Sequence, residues 1–190
     1  ASTITAMRTD GGHAVIAAKY LSKKNPKVLA VIGCGNQAKA GIRGFLSQFD
    51  TLEQISIFDS FESSMNSIHA LFGDGIRIVS KDTPGDAIKD ADIVLTVSTA
   101  KDIQIRPEMV KKGTTFLSLN AFVDVDPRLS EVADKWILGH TEEDTHTIID
   151  SPLLRHGFPL NKSLVYAELS QIVSGELPGR QSDDVIILYT

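Results

Sequence analysis

The sequence predicts an α/β fold in which a doubly wound, mostly parallel sheet carries helices on both faces. Short apolar runs rich in β-branched residues alternate with segments of helical periodicity along the chain. Several of these runs, such as Val28–Ile32, are apolar at every position, which is typical of strands covered on both faces. A glycine-rich turn follows the first run and leads directly into a helical pattern.

Each apolar run is short enough for one strand and ends in polar or turn residues. The runs predict strands over Lys27–Ile32, Gln54–Phe58, Ile76–Val79, Asp92–Val97, Thr114–Leu119, Lys135–Leu138 and Asp184–Tyr189. Trp136 falls within one of these runs, and we expect it to lie in the core. Right-handed crossovers between parallel strands then fix most of the topology.

Apolar residues recur at helical spacing between the predicted strands. After Gly35 they form one stripe, which predicts a helix with a single buried face and comprises Ala38, Ile42, Phe45, Leu46 and Phe49. Similar patterns predict helices over Ala1–Ser22, Ser60–Phe72, Asp82–Asp90 and Ser163–Ser174, with a helical turn over Pro107–Lys111. The segment Thr141–Arg155 also has a helical pattern, polar at first and then apolar.

The composition restricts the class of protein. The chain has 190 residues, of which 42% are hydrophobic, so it can bury one sizeable core and is not intrinsically disordered. Its 19 basic and 24 acidic side chains give a net charge of −5 without a long basic block, which disfavours nucleic-acid and membrane partners. Because Cys34 is the single cysteine and the first twenty residues do not resemble a signal peptide, we expect a cytoplasmic protein.

Both ends of the chain are abrupt for a doubly wound fold. The first helical segment has no partner strand before it, and the sequence stops at Thr190, one residue after an apolar strand. We therefore expect one dinucleotide-binding domain over residues 1–190 that belongs to a longer polypeptide, with residues 1–26 as an entry helix region. The alternative is a complete small domain with blunt ends.

The glycine-rich turn predicts a Rossmann dinucleotide site. Gly33 permits a tight turn after the strand, Gly35 lets a pyrophosphate approach the backbone, and Ala38 keeps helix and strand close. The first amides of the following helix would face the phosphates. Asp59 ends the second strand, where a carboxylate binds the adenosine ribose of NAD and repels the additional phosphate of NADP. Ser60, and no arginine, follows Asp59, so NAD is the predicted cofactor.

Hydroxyl and amide side chains end two further strands. Ser98 and Thr99 follow the fourth strand, and Asn120 follows the fifth. Ligands of open α/β folds bind at this carboxyl edge, so these residues could reach the nicotinamide or its ribose. Capping of the next helix is an equally good interpretation of Thr99 and Asn120.

Several motifs together resemble the ornithine cyclodeaminase/μ-crystallin family. They stand in the order of that family and cover nearly the whole chain. They are Ala6-Met7-Arg8-Thr9, Ala17–Leu21, Ile32–Ala38, Ala91–Val94 and Ser174–Arg180, followed by the strand Asp184–Tyr189.

This resemblance implies a homodimeric, NAD(P)-dependent enzyme that acts on small amino or imino acids. The family includes cyclodeaminases of ornithine or lysine, alanine dehydrogenases and ketimine reductases, with a preceding substrate and dimerisation domain and a final helix. By the same resemblance, Arg8 would clamp the substrate carboxylate and Thr9 would contact cofactor or substrate. Gly33, Gly35, Asn36, Gln37 and Asp59 match the dinucleotide site. A surface arginine beside a helix start is the alternative for Arg8.

The run Asn120–Pro127 departs from the family pattern. Val125 stands where many members carry a catalytic aspartate, and Val123 stands where they carry a glycine. Asp124 is the better candidate for a replacement catalytic group, whereas Asp126 before Pro127 is expected to cap a helix. The departure puts cyclodeamination in doubt and leaves three outcomes open: a cyclodeaminase, an amino-acid dehydrogenase or imine reductase, and a non-catalytic NAD-binding sensor or storage protein.

Two other features, a pair of histidines and the single cysteine, resemble reactive or metal-binding sites, but neither is predicted to be one. His140 and His146 lie six residues apart, a spacing that fits no common zinc site, so no metal is predicted. Cys34 stands between the two motif glycines, where small residues serve packing, and we assign it no chemical role.

Overall fold

The computed structural model describes residues 2–120, 122–150 and 160–190, with side chains from residue 11 onward. The strands are β1 (Val28–Ile32), β2 (Gln54–Phe58), β3 (Arg77–Ser80), β4 (Ile93–Thr96), β5 (Thr115–Ser118), β6 (Lys135–Leu138), β7 (Val165–Glu168) and β8 (Ile187–Tyr189). The helices are α1 (Ser2–Leu21), α2 (Asn36–Gln48), α3 (Glu62–Phe72), α4 (Pro84–Ile88), α5 (Leu129–Val132), α6 (Thr141–Asp144) and α7 (Leu169–Val173). Among these helices, none is both long enough and apolar enough to cross a bilayer.

The strands form one parallel sheet in the order β3-β2-β1-β4-β5-β8-β6-β7, which confirms the predicted doubly wound fold. The strand order reverses at β1, because β2 lies on one side of it and β4 on the other. Ile32 is in register with Phe58 of β2 and with Thr96 of β4. The ends of these three strands are therefore level, and ligands of such sheets bind at this switch point.

Alternate residues of the central strands enter two separate cores, as the two-residue repeat of a strand requires. Leu29 and Val31 pack on the face covered by α1 and α2, while Ala30 and Ile32 pack on the opposite face. Trp136 is fully buried in the second core, as expected from its place in an apolar run.

The helix α1 covers one face of the sheet and packs closely on α2. Its buried residues are Ala14, Ala17, Ala18 and Leu21, which recur at helical spacing. Val15 lies directly over Gly44 of α2, where an added Cβ would come within 2.6 Å of the valine Cγ2. Only a residue without a side chain therefore allows this approach of the two helices.

The late motif that ends in Arg180 holds the sheet and α1 together. The Arg180 guanidinium donates to the Leu21 carbonyl at the end of α1 (2.8 Å), to the Val185 carbonyl (2.6 Å) and to Thr115 Oγ1 at the start of β5 (3.0 Å). Lys135 Nζ donates to the carbonyls of Pro178 (2.8 Å) and Gly179 (2.7 Å) in the same motif. The described contacts of this motif are therefore structural.

The prediction of one helix over Ser163–Ser174 is wrong. Residues Val165–Glu168 form β7, which pairs with β6, and the helix is limited to Leu169–Val173. The pairing of β6 and β7 shifts register between Trp136 and Ile137, so this edge of the sheet is irregular.

The other predicted elements are found where they were expected: β2 and β6 have the predicted bounds, β3 is shifted by one residue, and most of the rest are shorter, while α5 was not predicted. Thr83 caps α4 by accepting from the Asp86 amide, and residues Pro107–Met109 form a 3-10 turn. The segment predicted over Thr141–Arg155 begins with α6 and continues as a π-helical turn over Thr145–Ile149. Its last five residues lie outside the described ranges.

Candidate functional site

A cleft of about 480 Å³ lies at the carboxyl ends of β1, β2 and β4. Its volume is in the range of small-molecule sites, roughly 300–1,000 Å³. Half of the residues predicted to contact ligands or to act in catalysis line it, namely Gly33, Gly35, Asp59, Ser60, Ser98 and Thr99. The cleft therefore joins the glycine turn, the end of β2 and the end of β4.

Gly33 is required by the packing of the turn. Its φ is +90°, which side chains of L-residues rarely adopt. A Cβ at this position would lie 2.8 Å from both the Cα and the amide nitrogen of Ser98. The Gly33 amide also donates to the carbonyl of Phe58, at the end of β2 (2.9 Å). The missing side chain thus lets β1 turn against the end of β4.

Gly35, by contrast, is not required by any contact within the described part of the chain. It has φ −78° and ψ −162°, an extended conformation open to any residue. A Cβ built there would meet no atom within 4 Å, although Gly35 lines the cleft. The missing side chain leaves open space in front of the backbone, as the approach of a diphosphate requires.

The amino end of α2 faces the same cleft through Gly35, its N-cap residue. No side chain of the described residues caps this helix, and its first turn contains no acidic residue. Asn36 and Gln37, both predicted cofactor contacts, form the first positions of α2, with Asn36 exposed and Gln37 half-buried. A thirteen-residue helix with an uncapped amino end presents amides and a positive dipole end to an anion.

Asp59 holds the glycine turn in place and also borders the cleft. Its Oδ2 accepts from the Cys34 amide (2.7 Å), and its Oδ1 accepts from the Phe61 amide (2.9 Å). An ionised carboxylate has about four acceptor positions, so two remain for a ligand once the bonds from the described residues are counted. The half-buried carboxylate therefore combines a fixed orientation with capacity for the two hydroxyls of a ribose.

Cys34 is buried beneath this arrangement. Only 1% of the residue is exposed, and its Sγ lies 3.8 Å from the Phe58 carbonyl. Burial, followed by the charge of Asp59, raises the pKa of the Cys34 thiol to about 12. The thiol is therefore neutral at physiological pH and does not act as a nucleophile.

A buried polar cluster lies below the cleft, at the ends of β4 and β5. Asp124 is fully buried, and its Oδ2 accepts from Thr96 Oγ1 (2.7 Å) and Ser98 Oγ (2.6 Å). Asn120 Oδ1 accepts from Ser118 Oγ (3.3 Å), while its Nδ2 is buried without a partner among the described residues. Of this cluster, Ser98 reaches the cleft lining.

The departure from the family pattern has a clear structural counterpart. Val125, at the position of the family aspartate, is fully buried in the second apolar core and bridges to Ile105. Asp126 accepts from the Arg128 amide and pairs with its guanidinium, so it caps the turn ahead of α5 and not the helix itself. The hydrogen bond from the Arg128 side chain lowers the pKa of Asp126. Neither residue offers a carboxylate to the cleft.

The two predicted residues on α1 cannot be placed at the level of their side chains. Arg8 and Thr9 lie within the helical backbone of α1, but their side chains are outside the described part of the structure.

The structure also identifies two cleft residues that were not predicted from the sequence. The Phe61 side chain lines the cleft although 71% of the residue is exposed, and Gln104 lines it from the loop after β4. Phe61 stands two residues after Asp59, so its proximity to the ribose position could have suggested it. Gln104 lies in an irregular loop, where no periodic pattern marks it.

Comparison with known proteins identifies relatives over the whole chain. The model of the ornithine cyclodeaminase/mu-crystallin family matches residues 1–190. The chain is 32% identical to N-((2S)-2-amino-2-carboxyethyl)-L-glutamate dehydrogenase of Staphylococcus aureus, covering 99% of this chain and 56% of the relative. It is 30% identical to Delta(1)-pyrroline-2-carboxylate reductase of Bacillus cereus, covering 99% of this chain and 59% of that relative.

Among solved structures, the fold is similar to that of Delta(1)-pyrroline-2-carboxylate reductase of Thermococcus litoralis in complex with NADH and L-proline. The TM-score is 0.82 at 23% sequence identity, covering 98% of this chain and 58% of the other. The similarity supports the Rossmann fold described above.

Proposed function

Since this chain belongs to the ornithine cyclodeaminase/mu-crystallin family, we propose that it forms the NAD-binding part of an enzyme that transfers hydride to or from a small α-amino or imino acid. The proposal depends on one observation at Gly35. This residue borders the cleft, and no contact within the described part of the chain requires it to lack a side chain. NAD supplies the hydride acceptor, and its reduced form supplies the hydride.

The cleft residues divide between the two halves of the dinucleotide. Gly35 and the first amides of α2 would hold the diphosphate, while the two open acceptor positions of Asp59 would receive the adenosine ribose hydroxyls. The same carboxylate would repel a 2′-phosphate, which favours NAD over NADP. Ser98, Thr99 and Asn120 stand at the ends of β4 and β5, on the opposite side of β1 from Asp59, and would face the nicotinamide half.

The substrate proposal rests on the relatives and on Arg8. The relatives are named as a reductase of pyrroline-2-carboxylate and a dehydrogenase of an amino-acid derivative. A guanidinium binds a carboxylate bidentately and would orient the substrate carbon toward the nicotinamide, with Thr9 beside it. Because the chain spans just over half of the relatives' length, we propose that other parts of the full-length protein complete the substrate pocket and a homodimer. A cytoplasmic location is part of the same proposal.

We favour reduction of an imine or oxidation of an amine over cyclodeamination. Cyclodeamination requires several proton transfers as well as hydride removal and return, and a carboxylate near the substrate amine is the natural mediator. In this chain the family position is the buried Val125, and Asp124 lies beneath the cleft.

The test is an activity assay of the full-length protein with three substrate pairs. Oxidation of NADH by Δ1-pyrroline-2-carboxylate identifies an imine reductase, and formation of NADH with L-alanine identifies a dehydrogenase. Proline and ammonia formed from ornithine without net NADH identify a cyclodeaminase and refute the preference stated here. The ratio of NADH to NADPH turnover provides a second readout, because Asp59→Ser should reduce that ratio.

A non-catalytic NAD-binding protein is the second candidate, favoured by the buried valine at the position of the family aspartate. NADH binding without turnover of any of the three pairs would support it. Failure of the folded full-length protein to bind either dinucleotide would refute both candidates.

A further inference from the structure

Asp124 is a buried carboxylate that touches the cleft only through another side chain. It is fully buried, and both hydroxyls bonded to its Oδ2 come from the end of β4. One of these, Thr96, is also fully buried, whereas Ser98 is half-buried and lines the cleft. Asp124 Oδ1 has no hydrogen-bond partner among the described residues.

The chemistry of these groups fixes the direction of the Ser98 hydroxyl. Ser98 Oγ donates its single hydroxyl proton to Asp124 Oδ2 (2.6 Å), so that proton points down to Asp124 and away from the cleft. One lone pair of Ser98 Oγ accepts from the Ala100 amide (3.3 Å). The other lone pair has no partner among the described residues, so this hydroxyl can accept a hydrogen bond from a group in the cleft but cannot donate one.

The backbone of Ser98 is held from the opposite side. Its Cα and amide nitrogen would each lie 2.8 Å from a Cβ at Gly33, so the glycine turn packs directly on this residue. Ser98 is therefore fixed by the turn through its backbone and by Asp124 through its side chain.

We propose that Asp124 is a positioning residue that commits Ser98 to accept a hydrogen bond from the bound dinucleotide. The group at Ser98 is then an uncharged donor, either a ribose hydroxyl or the carboxamide N–H of the nicotinamide, and never a phosphate oxygen. This inference rests on the proposed NAD site and specifies which portion of the cofactor meets the end of β4.

The exclusion of phosphate follows from the same hydrogen-bond count. A phosphate oxygen is an anionic acceptor and would face the acceptor lone pair of Ser98, with a buried carboxylate directly beneath. The amides at the start of α2 offer the opposite polarity, so the cleft separates a site for anions near Gly35 from a site for donors near Ser98.

The test is a double-mutant cycle on NADH binding in the full-length protein. Ser98→Ala removes the acceptor, and Asp124→Asn keeps the shape but offers an N–H that frees the Ser98 proton to turn into the cleft. Each should raise the Kd for NADH about five- to tenfold, the effect of one hydrogen bond. The double variant should bind no more weakly than Ser98→Ala, because Asp124 acts through Ser98.

The control is Asp92→Asn, which alters a buried carboxylate at the start of β4, at the opposite edge of the sheet. It should lower the unfolding midpoint while keeping the Kd for NADH within about twofold, since a change in stability alone does not act on the cleft. Additive effects of Ser98→Ala and Asp124→Asn, or an unchanged Kd in either single variant, would overturn the inference.

A second probe covers the case in which Asp124→Asn does not fold. Inorganic pyrophosphate carries only the anionic portion of the ligand, so Ser98→Ala should weaken NADH binding and leave pyrophosphate binding unchanged. Equal weakening of both would overturn the inference. Absence of NADH binding in the unmodified protein would instead overturn the proposed function, and this inference with it.

Discussion

Alanine substitution should lower the stability of the fold at Gly33 but weaken NADH binding at Gly35, although the two residues are only two positions apart. Gly33→Ala forces a side chain into a φ of +90°, which costs about 1–2 kcal/mol. The new Cβ also meets Ser98 backbone atoms at 2.8 Å, and overpacking of this kind costs about 1–3 kcal/mol. The free energy of unfolding should therefore fall by about 2–5 kcal/mol.

Gly35→Ala should leave the fold almost unchanged. Alanine is a poorer N-cap than glycine by up to about 1 kcal/mol, while the loss of freedom in the unfolded chain returns about 0.4–1 kcal/mol. The added Cβ meets no atom within 4 Å, so the net change should stay within about 1 kcal/mol. Its methyl group would instead occupy the space proposed for the diphosphate, and the Kd for NADH should rise at least about tenfold.

Urea denaturation and calorimetric titration with NADH measure the two effects separately. Each variant is the control for the other, because the substitution is the same and one residue of the same turn separates the two positions. If Gly35→Ala unfolds as readily as Gly33→Ala, the fold itself requires glycine at position 35, and the distinction drawn between the two residues is wrong. If Gly35→Ala binds NADH as tightly as the unmodified protein, the open space beside Gly35 is not the diphosphate site.

Three further predictions concern the scaffold. Arg180→Met should lower the free energy of unfolding by about 3 kcal/mol, measured in urea, because it leaves the Leu21 carbonyl and other buried acceptors unpaired. Cys34 should react with thiol reagents only after unfolding, because burial raises its pKa to about 12; labelling at the same rate in native and denatured protein would contradict this. Burial favours the neutral form of Asp92, but the amide of Lys27 and other partners outweigh burial and lower the pKa of Asp92. The ionised carboxylate therefore stabilises the fold at pH values above its unfolded pKa of about 4, and this stabilisation is lost as the pH falls below that value. Asp92→Asn should therefore unfold more easily at neutral pH and show a smaller loss of stability between neutral and acidic pH in urea titrations.

The sequence was sufficient for the central strands and the turn because their determinants are local. Apolar runs buried on both faces and a glycine turn between strand and helix occupy a few consecutive residues each, so one window contains the whole signal. The structure confirms the strand Val28–Ile32 and the helix that follows Gly35. Predicted strand ends match or differ by at most three residues, because terminal residues without ladder partners still have strand-like composition.

The strand β7 escaped prediction because it is four residues long and runs directly into a helix. The four residues Val165–Glu168 are too few to show a clear two-residue strand repeat. Leu169 and Ile172, which follow at helical spacing, make the whole segment resemble one helix. The boundary is set by Glu168, whose amide donates to Gln171 Oε1 (3.0 Å) in a capping arrangement. Glutamate is an uncommon cap residue, so the sequence gives no strong signal for this start.

The polar cluster below the cleft could not be predicted for a different reason. Asp124 and Ser98 are 26 residues apart, and nothing in either segment indicates that they form a hydrogen bond. The adjacency of β4 and β5 brings the two segments together, and the loop that carries Asp124 turns its carboxylate under β4. The sequence therefore identified Asp124 as a candidate group, but its burial and its partner depend on the tertiary fold.

The motif around Arg180 connects this scaffold to the substrate proposal. Arg180 fixes the end of α1 at Leu21, and Val15 packs on Gly44 about two turns earlier. Arg8 lies thirteen residues before Leu21 on the same helix, or about 20 Å along its axis. Over that length a tilt of about 5° moves the helix by nearly 2 Å, and misplacement of a substrate by about 1 Å is enough to slow a reaction a hundredfold. With Arg8 in its proposed role as a carboxylate clamp, the helix needs a rigid attachment at its other end. The guanidinium of Arg180 provides one through hydrogen bonds to the Leu21 carbonyl of α1, to Thr115 of β5 and to the Val185 carbonyl, two residues before β8.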